Sequence, residues 1–481
     1  MRLSALLAVI VALALVPAAH AADITASHQT TASSQARAGE AEFRSLYKEL
    51  IEINTTLSVG SCTDAANAMK AHLSAAGFAE SQLHVIVPPD HPKAGNLIAL
   101  LPGSDAKLKP LLLLAHIDVV EANRADWTRD PFKLVEEDGF FHARGASDDK
   151  AMAAVFADAM VRYKKEGYRP KRGIKLALTC GEETPNVFNG VKYLVANHRD
   201  LVDAAFALNE GGGGRYDQKT GEYRFVAVQV GEKLYQDFKL TATDKGGHSA
   251  RPTPSNPIYR LAHALDKIEA YSFPIEFNDT TKVYFQRSGT IEGGDVGAAM
   301  VAAGKSGDPA AVAQLVKDPT YNGTLHTTCV ATQISGGHAP NALPQNVTAN
   351  VNCRIFPGHD QKEILAALTK AVDNPEVKIE LADAPETPGA PPALSKEVLQ
   401  PIEKLTADMF PGIAVIPVMS SGATDGRFLT PAGIPTYGVS GMLNDGATSN
   451  AHGLNERIRV QTLIEGREFL YRLTKLYAGG K

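Results

Sequence analysis

Five short islands of histidine and acid carry the residue types that a two-metal hydrolase needs. They are His116-Ile117-Asp118, Asp148-Asp149-Lys150, Glu182-Glu183, Glu210 and His452. Ionised carboxylates are costly to bury unless they are paired or bound to metal. Several of these acids nevertheless end apolar runs that read as core strands. His116 and Asp118 follow Leu111–Ala115, Glu182 and Glu183 follow Ile174–Cys180, and Glu210 follows Ala204–Leu208. Ligands gather at the C-terminal ends of strands in open α/β sheets. Divalent cations held there would acidify a water and polarise an amide carbonyl.

Each island alone admits a plainer reading. His116 and Asp118 read equally as a loop histidine beside a solvated acid. Residues i and i+2 share a face, however, so Asp118 is placed to accept the second ring N–H of His116 and fix its tautomer. Asp149 suits a helix N-terminus with Ser147 as cap, which leaves Asp148 as the candidate bridge between two metals. Glu182 and Glu183 point opposite ways on extended backbone, so one can ligate while the other reaches a water. Gly211–Gly214 follow Glu210 without a Lys-Ser/Thr, which argues against a phosphate loop and for close backbone approach. His452, in Asn450-Ala451-His452-Gly453-Leu454-Asn455-Glu456, would supply the missing neutral nitrogen.

The elements around these islands set the fold expectation. At 481 residues and 44% hydrophobic content, the chain is long enough for a large core and more than one domain. Helical spacing runs over Glu42–Ile53, Asp64–Ala76 and Lys150–Lys165. Asn96–Leu101, Pro110–Ala115 and Ile174–Thr179 are apolar runs typical of strands buried on both faces. This alternation predicts an α/β catalytic domain with a mostly parallel central sheet. From about Tyr235 the texture changes. Asp237–Thr243, Thr327–Ser335 and Asn346–Ile355 alternate like antiparallel strands, with helices over Pro257–Ala270 and Gln361–Val372 and a strand over Val377–Leu381. A looser Gly/Ala-rich stretch lies between. The Pro-rich Ala384–Pro392 reads as a return hinge. The expected order is a leader (1–21), a first catalytic segment (22–235), an α+β lid (236–385) and a second segment that completes the catalytic domain (386–481).

The net charge of −5 is spread along the chain, and no basic block or aromatic-basic interleaving points to nucleic acid. Arg2, the apolar run Leu3–Val16 and the small-residue site ending at Ala21 form a secretory leader pattern, too short to span a bilayer comfortably. The expectation is a secreted or periplasmic protein cleaved after Ala21, with no membrane contact afterwards. Cys329 and Cys353 would face each other if their flanks pair as antiparallel strands; cross-strand geometry is often poor for a bridge, so the pair stays open. Cys180 reads as a buried free thiol, and Cys62 is uninformative.

Together the islands resemble the co-catalytic zinc metallopeptidase family that includes glutamate carboxypeptidase, aminoacylase and succinyl-diaminopimelate desuccinylase. The resemblance spans essentially the whole chain after the leader. It implies that His116, Asp148 and Glu210 hold one Zn²⁺, that Asp148, Glu183 and His452 hold the second, and that two Zn²⁺ bind per subunit. Such N/O ligands also accept cobalt or manganese. It further implies Glu182 as general base and Asp118 as the residue orienting His116. Lys245-Gly246-Gly247-His248-Ser249-Ala250 resembles the lid motif, in which the histidine reaches the neighbouring active site of a homodimer. Asn341 and Arg354 match lid positions, and Arg354 suits a substrate carboxylate or a structural ion pair. The turn at Gly422 and Thr424 would lie beside the substrate, its N–H groups suited to an anion; an Asp425–Arg427 pair is the alternative use of that loop.

The implied activity is hydrolysis of an amide bond beside a free carboxylate, with carboxypeptidase the first expectation. An N-acyl-amino-acid amidohydrolase or a dipeptidase would use the same metal chemistry on a small peptide or N-acyl amino acid. From another class, a non-catalytic zinc- or peptide-binding protein would be expected to lack Glu182 or a ligand, yet every position is filled. There is no His-Glu-x-x-His zincin motif and no Gly-x-Ser-x-Gly elbow.

Overall fold

The computed structural model describes residues 38–481 apart from 185–186, 218, 386 and 446–448. The expected leader and its cleavage site lie outside the described residues. After the helices Glu40–Glu52 and Cys62–Ala75, the first sheet takes β1 Leu83–Ile86, β2 Asn96–Leu101, β3 Leu111–His116, β4 Ile174–Thr179, β5 Phe206–Asn209, β6 Gly213–Tyr216 and β7 Tyr223–Glu232. A separate sheet comprises β8 Leu234–Thr243, β9 Thr328–Gly336, β10 Asn346–Ile355 and β11 Val377–Leu381. Strands β12 Ala414–Ser420 and β13 Thr436–Gly438 then return to the first sheet.

The large sheet has the order β1-β2-β4-β3-β5-β13-β7-β12, with β6 paired to β7. Its centre, β4-β3-β5-β13, is parallel, while β1 and β2 run antiparallel at one side. The apolar runs are explained by cover on both faces. Leu111, Leu113 and Ala115 of β3 pack with the helices Glu40–Glu52, Cys62–Ala75, Lys150–Lys165 and Val460–Ala478. Leu112 and Leu114 point the other way, toward Val191, Leu194 and Leu429. Parallel strands cross over through helices, so neither face meets water and neither needs polar residues.

The second sheet is antiparallel, in the order β9-β10-β8-β11. Phe238, Leu240 and Ala242 of β8 and Val347, Ala349 and Val351 of β10 bury one face against the helices Pro257–Ala270 and Gln361–Val372. Strand β9 is an edge, and Val330 and Ile334 on it are largely exposed.

Two expectations are corrected. The Gly/Ala-rich stretch is not loose: it folds as four helices, Asp279–Glu292, Gly294–Ser306, Pro309–Leu315 and Pro319–Leu325, around Phe285, Met300 and Leu315. Asp308 and Asp318 cap the last two, each with proline at the first helical position. Glycine makes the packing possible, since a Cβ at Gly289 would lie 2.6 Å from the Gly297 carbonyl oxygen. The bundle covers the β12 edge, where Arg287 donates to Glu403 (3.1 Å) and to the Val415 carbonyl (2.6 Å). Nor is Cys180 a free thiol. It is bridged to Cys62 at the start of the helix Cys62–Ala75, and Cys329 is bridged to Cys353 directly across from it.

The two bridges close loops of very different size, 118 and 24 residues of sequence separation. Loop-closure entropy assigns them about 5 and about 3.5 kcal/mol respectively. The double variant C62A/C180A is therefore expected to lose roughly 1 kcal/mol more than C329A/C353A in urea unfolding. Equal losses, or a larger loss for C329A/C353A, would contradict this ordering.

Candidate metal and catalytic site

The strand ends bring the islands together. His116 is the last residue of β3, and Glu182 and Glu183 follow β4 after Gly181, whose φ of +91° turns the chain. Glu210 follows β5. A Cβ at Gly212 would lie 2.4 Å from the Gly438 carbonyl oxygen, so the glycines after Glu210 allow its loop to sit against β13. Asp148 precedes the helix Lys150–Lys165. The N-cap there is Asp149 with no side-chain capping bond, and the Ser147 N–H donates elsewhere, so Ser147 is not the cap expected from sequence. The Lys150 ammonium is buried and donates to the carbonyls of Leu50 (3.0 Å) and Ile53 (2.7 Å), closing the C-terminus of the helix Glu40–Glu52.

Asp148 stands at the middle. One carboxylate oxygen lies 3.2 Å from His116 Nε2, and the other lies 3.1 Å from His452 Nε2. Glu210 is 3.9 Å from the same His116 nitrogen, and Glu183 is 2.9 Å from the same His452 nitrogen. His452 has a left-handed φ of +61°, a conformation an L-residue keeps only where its surroundings impose it. Donor atoms of His116, Asp148 and Glu183 lie within 4.8 Å of one another, as do those of His116, Glu182 and Glu210. Imidazole nitrogens and hard carboxylate oxygens converging at this spacing fit a pair of divalent cations. Cys62, Asp118 and Cys180 also lie close together, but both sulfurs are in the disulfide and offer no thiolate.

The electrostatics show how much charge is confined. Burial, then the nearby acids Asp425, Glu183 and Asp118, pushes the Glu182 carboxyl up to about 8 against the pull of His116. Burial also raises Glu210 well above the carboxylate range. For Asp148 burial acts upward too, but its hydrogen bonds to His116 and His452 prevail and hold it below the usual range. His452 is pushed up to about 10 by its bonds to Asp148 and Glu183. Hydrogen bonds from the two histidines to Asp148 and Glu183 are what offset the crowding of these acids.

Asp118 holds the site differently from the sequence expectation. His116 Nδ1 bonds to the Asp118 main-chain oxygen (3.1 Å), while the carboxylate is 3.7 Å away. That carboxylate instead accepts the N–H groups of Glu182 (3.3 Å) and Glu183 (3.0 Å). Its side chain fixes the segment of Glu182 and Glu183, while its main-chain oxygen holds the histidine.

The lid positions are not assembled with this cluster. His248 is exposed in a short ribbon with Ala342, its Nδ1 accepting the Ala250 N–H, and the Asn341 carbonyl accepts the Ser249 N–H. Among the described residues, no hydrogen bond or ion pair joins His248 or Asn341 to the candidate ligands. Arg354 stacks on Tyr235 (4.6 Å) and donates to the Ser421 carbonyl (3.4 Å), adjoining the Gly422 turn. The anion site expected from that turn is already taken by the protein. Gly422 N–H donates to Ser420 Oγ, and Thr424 N–H donates to the Glu232 carboxyl at 2.9 Å. Asp425 accepts from Thr179 and Asn189.

Sequence reasoning misses Glu232 and Glu456. Glu232 reads as the end of an ordinary strand, and Glu456 reads only as a neighbour of His452. Glu456 is fully buried and bonds to Arg144 and to the three main-chain amides of Gly145, Ser147 and Asp148. The signal for it is the cost of burying an acid beside a ligand.

An α/β sheet with acids and histidines gathered at its strand ends defines the metal-dependent hydrolase class. The model of peptidase family M20/M25/M40 matches residues 112–476, and this chain belongs to that family. It is 28% identical over 379 residues to human N-fatty-acyl-amino acid synthase/hydrolase PM20D1, covering 77% of this chain and 74% of that protein. It is 25% identical over 387 residues to human Aminoacylase-1, covering 79% and 83% respectively. In fold it is similar to the M20 family metallo-carboxypeptidase Sso-CP2 from Sulfolobus solfataricus, with a TM-score of 0.68, 21% identity, and 91% and 99% of the two chains covered.

Glu232 yields a test of the electrostatics away from the ligands. Burial raises its carboxyl from 4.5 to about 8, with Thr424 and Arg427 opposing. An acid with a raised folded pKa binds its proton more tightly when folded, so it costs no stability below about 4.5 and progressively more as pH climbs toward 8. E232Q carries no such proton. It is expected to match wild type near pH 5 and to exceed it by about 1–3 kcal/mol at pH 8 in chemical denaturation. A difference independent of pH would contradict the assignment.

Proposed function

We propose that the protein is an exported di-zinc hydrolase that cleaves an amide bond beside a free carboxylate, acting first as a carboxypeptidase. The observation that carries this reading is the Asp148 carboxylate, whose two oxygens each meet a different histidine while Glu182 stands among the same donors. His116, Asp148 and Glu210 would hold one ion, and Asp148, Glu183 and His452 the other. The bound pair would supply the positive charge that acidifies a water and polarises the scissile carbonyl. Glu182 takes the proton from the attacking water and passes it to the departing nitrogen. Asp118, through the amides of Glu182 and Glu183, keeps that carboxyl in place. Arg354 beside the Ser421–Gly422 turn offers the guanidinium for the substrate carboxylate.

A second reading, an N-acyl-amino-acid amidohydrolase, is favoured by the likeness to PM20D1 and Aminoacylase-1. It uses the same residues and the same free carboxylate, with an acyl group in place of a peptide. Zinc-loaded protein assayed on dipeptides, C-terminally blocked dipeptides and N-acyl amino acids separates the two. Loss on blocking supports the carboxylate requirement, and preferential cleavage of N-acyl amino acids selects the second reading. E182Q is expected to keep both metals yet lose about 100- to 10,000-fold in kcat. An E182Q protein with full activity and two metals would sink the mechanism.

Export is supported by the two disulfides, which persist in oxidising compartments. No helix among the described residues is long and apolar enough to cross a membrane. N-terminal sequencing of the protein isolated from its host tests the site after Ala21; an intact leader there would refute it. The homodimer is supported by the open β9 edge with Val330 and Ile334 exposed, because an unblunted edge strand is a pairing surface. V330K/I334K is expected to sediment as a monomer and to lose activity with the trans role of His248. A fully active monomer would remove that role.

A further inference from the structure

Glu456 lies four residues after His452 and is wholly buried, yet it touches none of the candidate ligands through their side chains. One of its oxygens accepts the N–H groups of Ser147 (2.7 Å) and Asp148 (3.0 Å). The other accepts Gly145 N–H (2.9 Å) and Arg144 Nη1 (2.8 Å). The acceptor capacity of an ionised carboxylate is therefore filled, and three of its four partners are the amides of the segment that ends in Asp148. Arg144 completes the link by donating Nη2 to the Gly453 carbonyl (2.9 Å), next to His452, and the Ala143 N–H donates to the Glu456 carbonyl (3.1 Å). Two loops about 300 residues apart are thereby sewn together through one side chain, and each carries a ligand of the same candidate metal position.

We infer that Glu456 is a positioning residue for the second metal position, setting the distance between Asp148 and His452. The inference rests on the two-metal reading above. The two positions differ in what holds them. His116 and Glu210 follow adjacent strands of the central sheet, β3 and β5, and take their placement from its ladder. His452 sits on a loop in a left-handed conformation, exposed at its side chain, and has no strand beneath it. Beyond its own contact with the Asp148 carboxylate (3.1 Å), what ties its loop to the Asp148 segment is Glu456 with Arg144. A general loss of structure would weaken both positions together. Loss of this clamp moves Asp148, which both positions share, and also His452, so it weakens the second position more than the first.

The test is a cobalt titration of the full chain, followed by visible absorption, for wild type and Glu456→Gln. The amide keeps the size of the side chain but turns an NH₂ toward main-chain donors that need an acceptor. The expected result is a first cobalt ion bound within about threefold of wild type and a second weakened about 10- to 100-fold, the range typical when an outer-shell partner is lost. Equal weakening of both ions, or no weakening of either, overturns the inference. Should Glu456→Gln fail to fold, Glu456→Asp decides. It keeps the charge on a shorter stem, and the same selective weakening of the second ion is expected. Wild type binding two ions with unchanged variants refutes the clamp alone, whereas wild type binding fewer than two refutes the two-metal reading itself.

Discussion

The structure depends on holding mutually repelling carboxylates in one place. Asp148, Glu182, Glu183 and Glu210 converge with Asp118, Asp149 and Asp425 behind them, and burial raises the cost of ionising Asp149, Glu182, Glu210 and Asp425. Several kinds of partner make the crowd tolerable. Histidines hydrogen-bond Asp148 and Glu183. Main-chain amides satisfy Asp118 and Glu456, and a buried arginine neutralises Glu456. A site with this balance is built to receive cations, because an added positive charge relieves every repulsion at once.

The sheet sets the geometry of that crowd. Three adjacent parallel strands, β4, β3 and β5, end on one side and deliver Glu182, Glu183, His116 and Glu210 to it. Their register is fixed by the ladder, with His116 opposite Thr179 and Leu113 opposite both Leu176 and Leu208. The candidate ligands at the ends inherit that fixed register. Asp148 and His452 come instead from a helix entrance and a loop. They rely on side-chain contacts, above all those of Glu456, for a precision that the ladder supplies to the others.

This division explains what is legible in the sequence. The runs of β3 and β4 declare themselves because burial on both faces leaves no polar alternation, and the acids after them stand out against it. The antiparallel sheet is legible for the opposite reason, since Phe238, Leu240 and Ala242 alternate with polar neighbours. What stays hidden depends on contacts between distant residues. The bridge of Cys180 to Cys62 spans 118 residues. The Glu456 carboxylate reaches the Asp148 amide 308 positions away. The four-helix insert is obscured by weak composition, although Asp308-Pro309 and Asp318-Pro319 mark two of its starts. The Thr424 turn looks like an anion site, but its Thr424 amide is already taken by Glu232 of the same chain.

The proposed chemistry stands on two metals sharing Asp148, and anomalous diffraction at the zinc edge from zinc-loaded crystals reads that arrangement directly. Two peaks are expected to flank the Asp148 carboxylate about 3.5–4 Å apart, one beside His116 and Glu210 and one beside Glu183 and His452. A single peak, or a pair that leaves Asp148 outside the space between them, would contradict it.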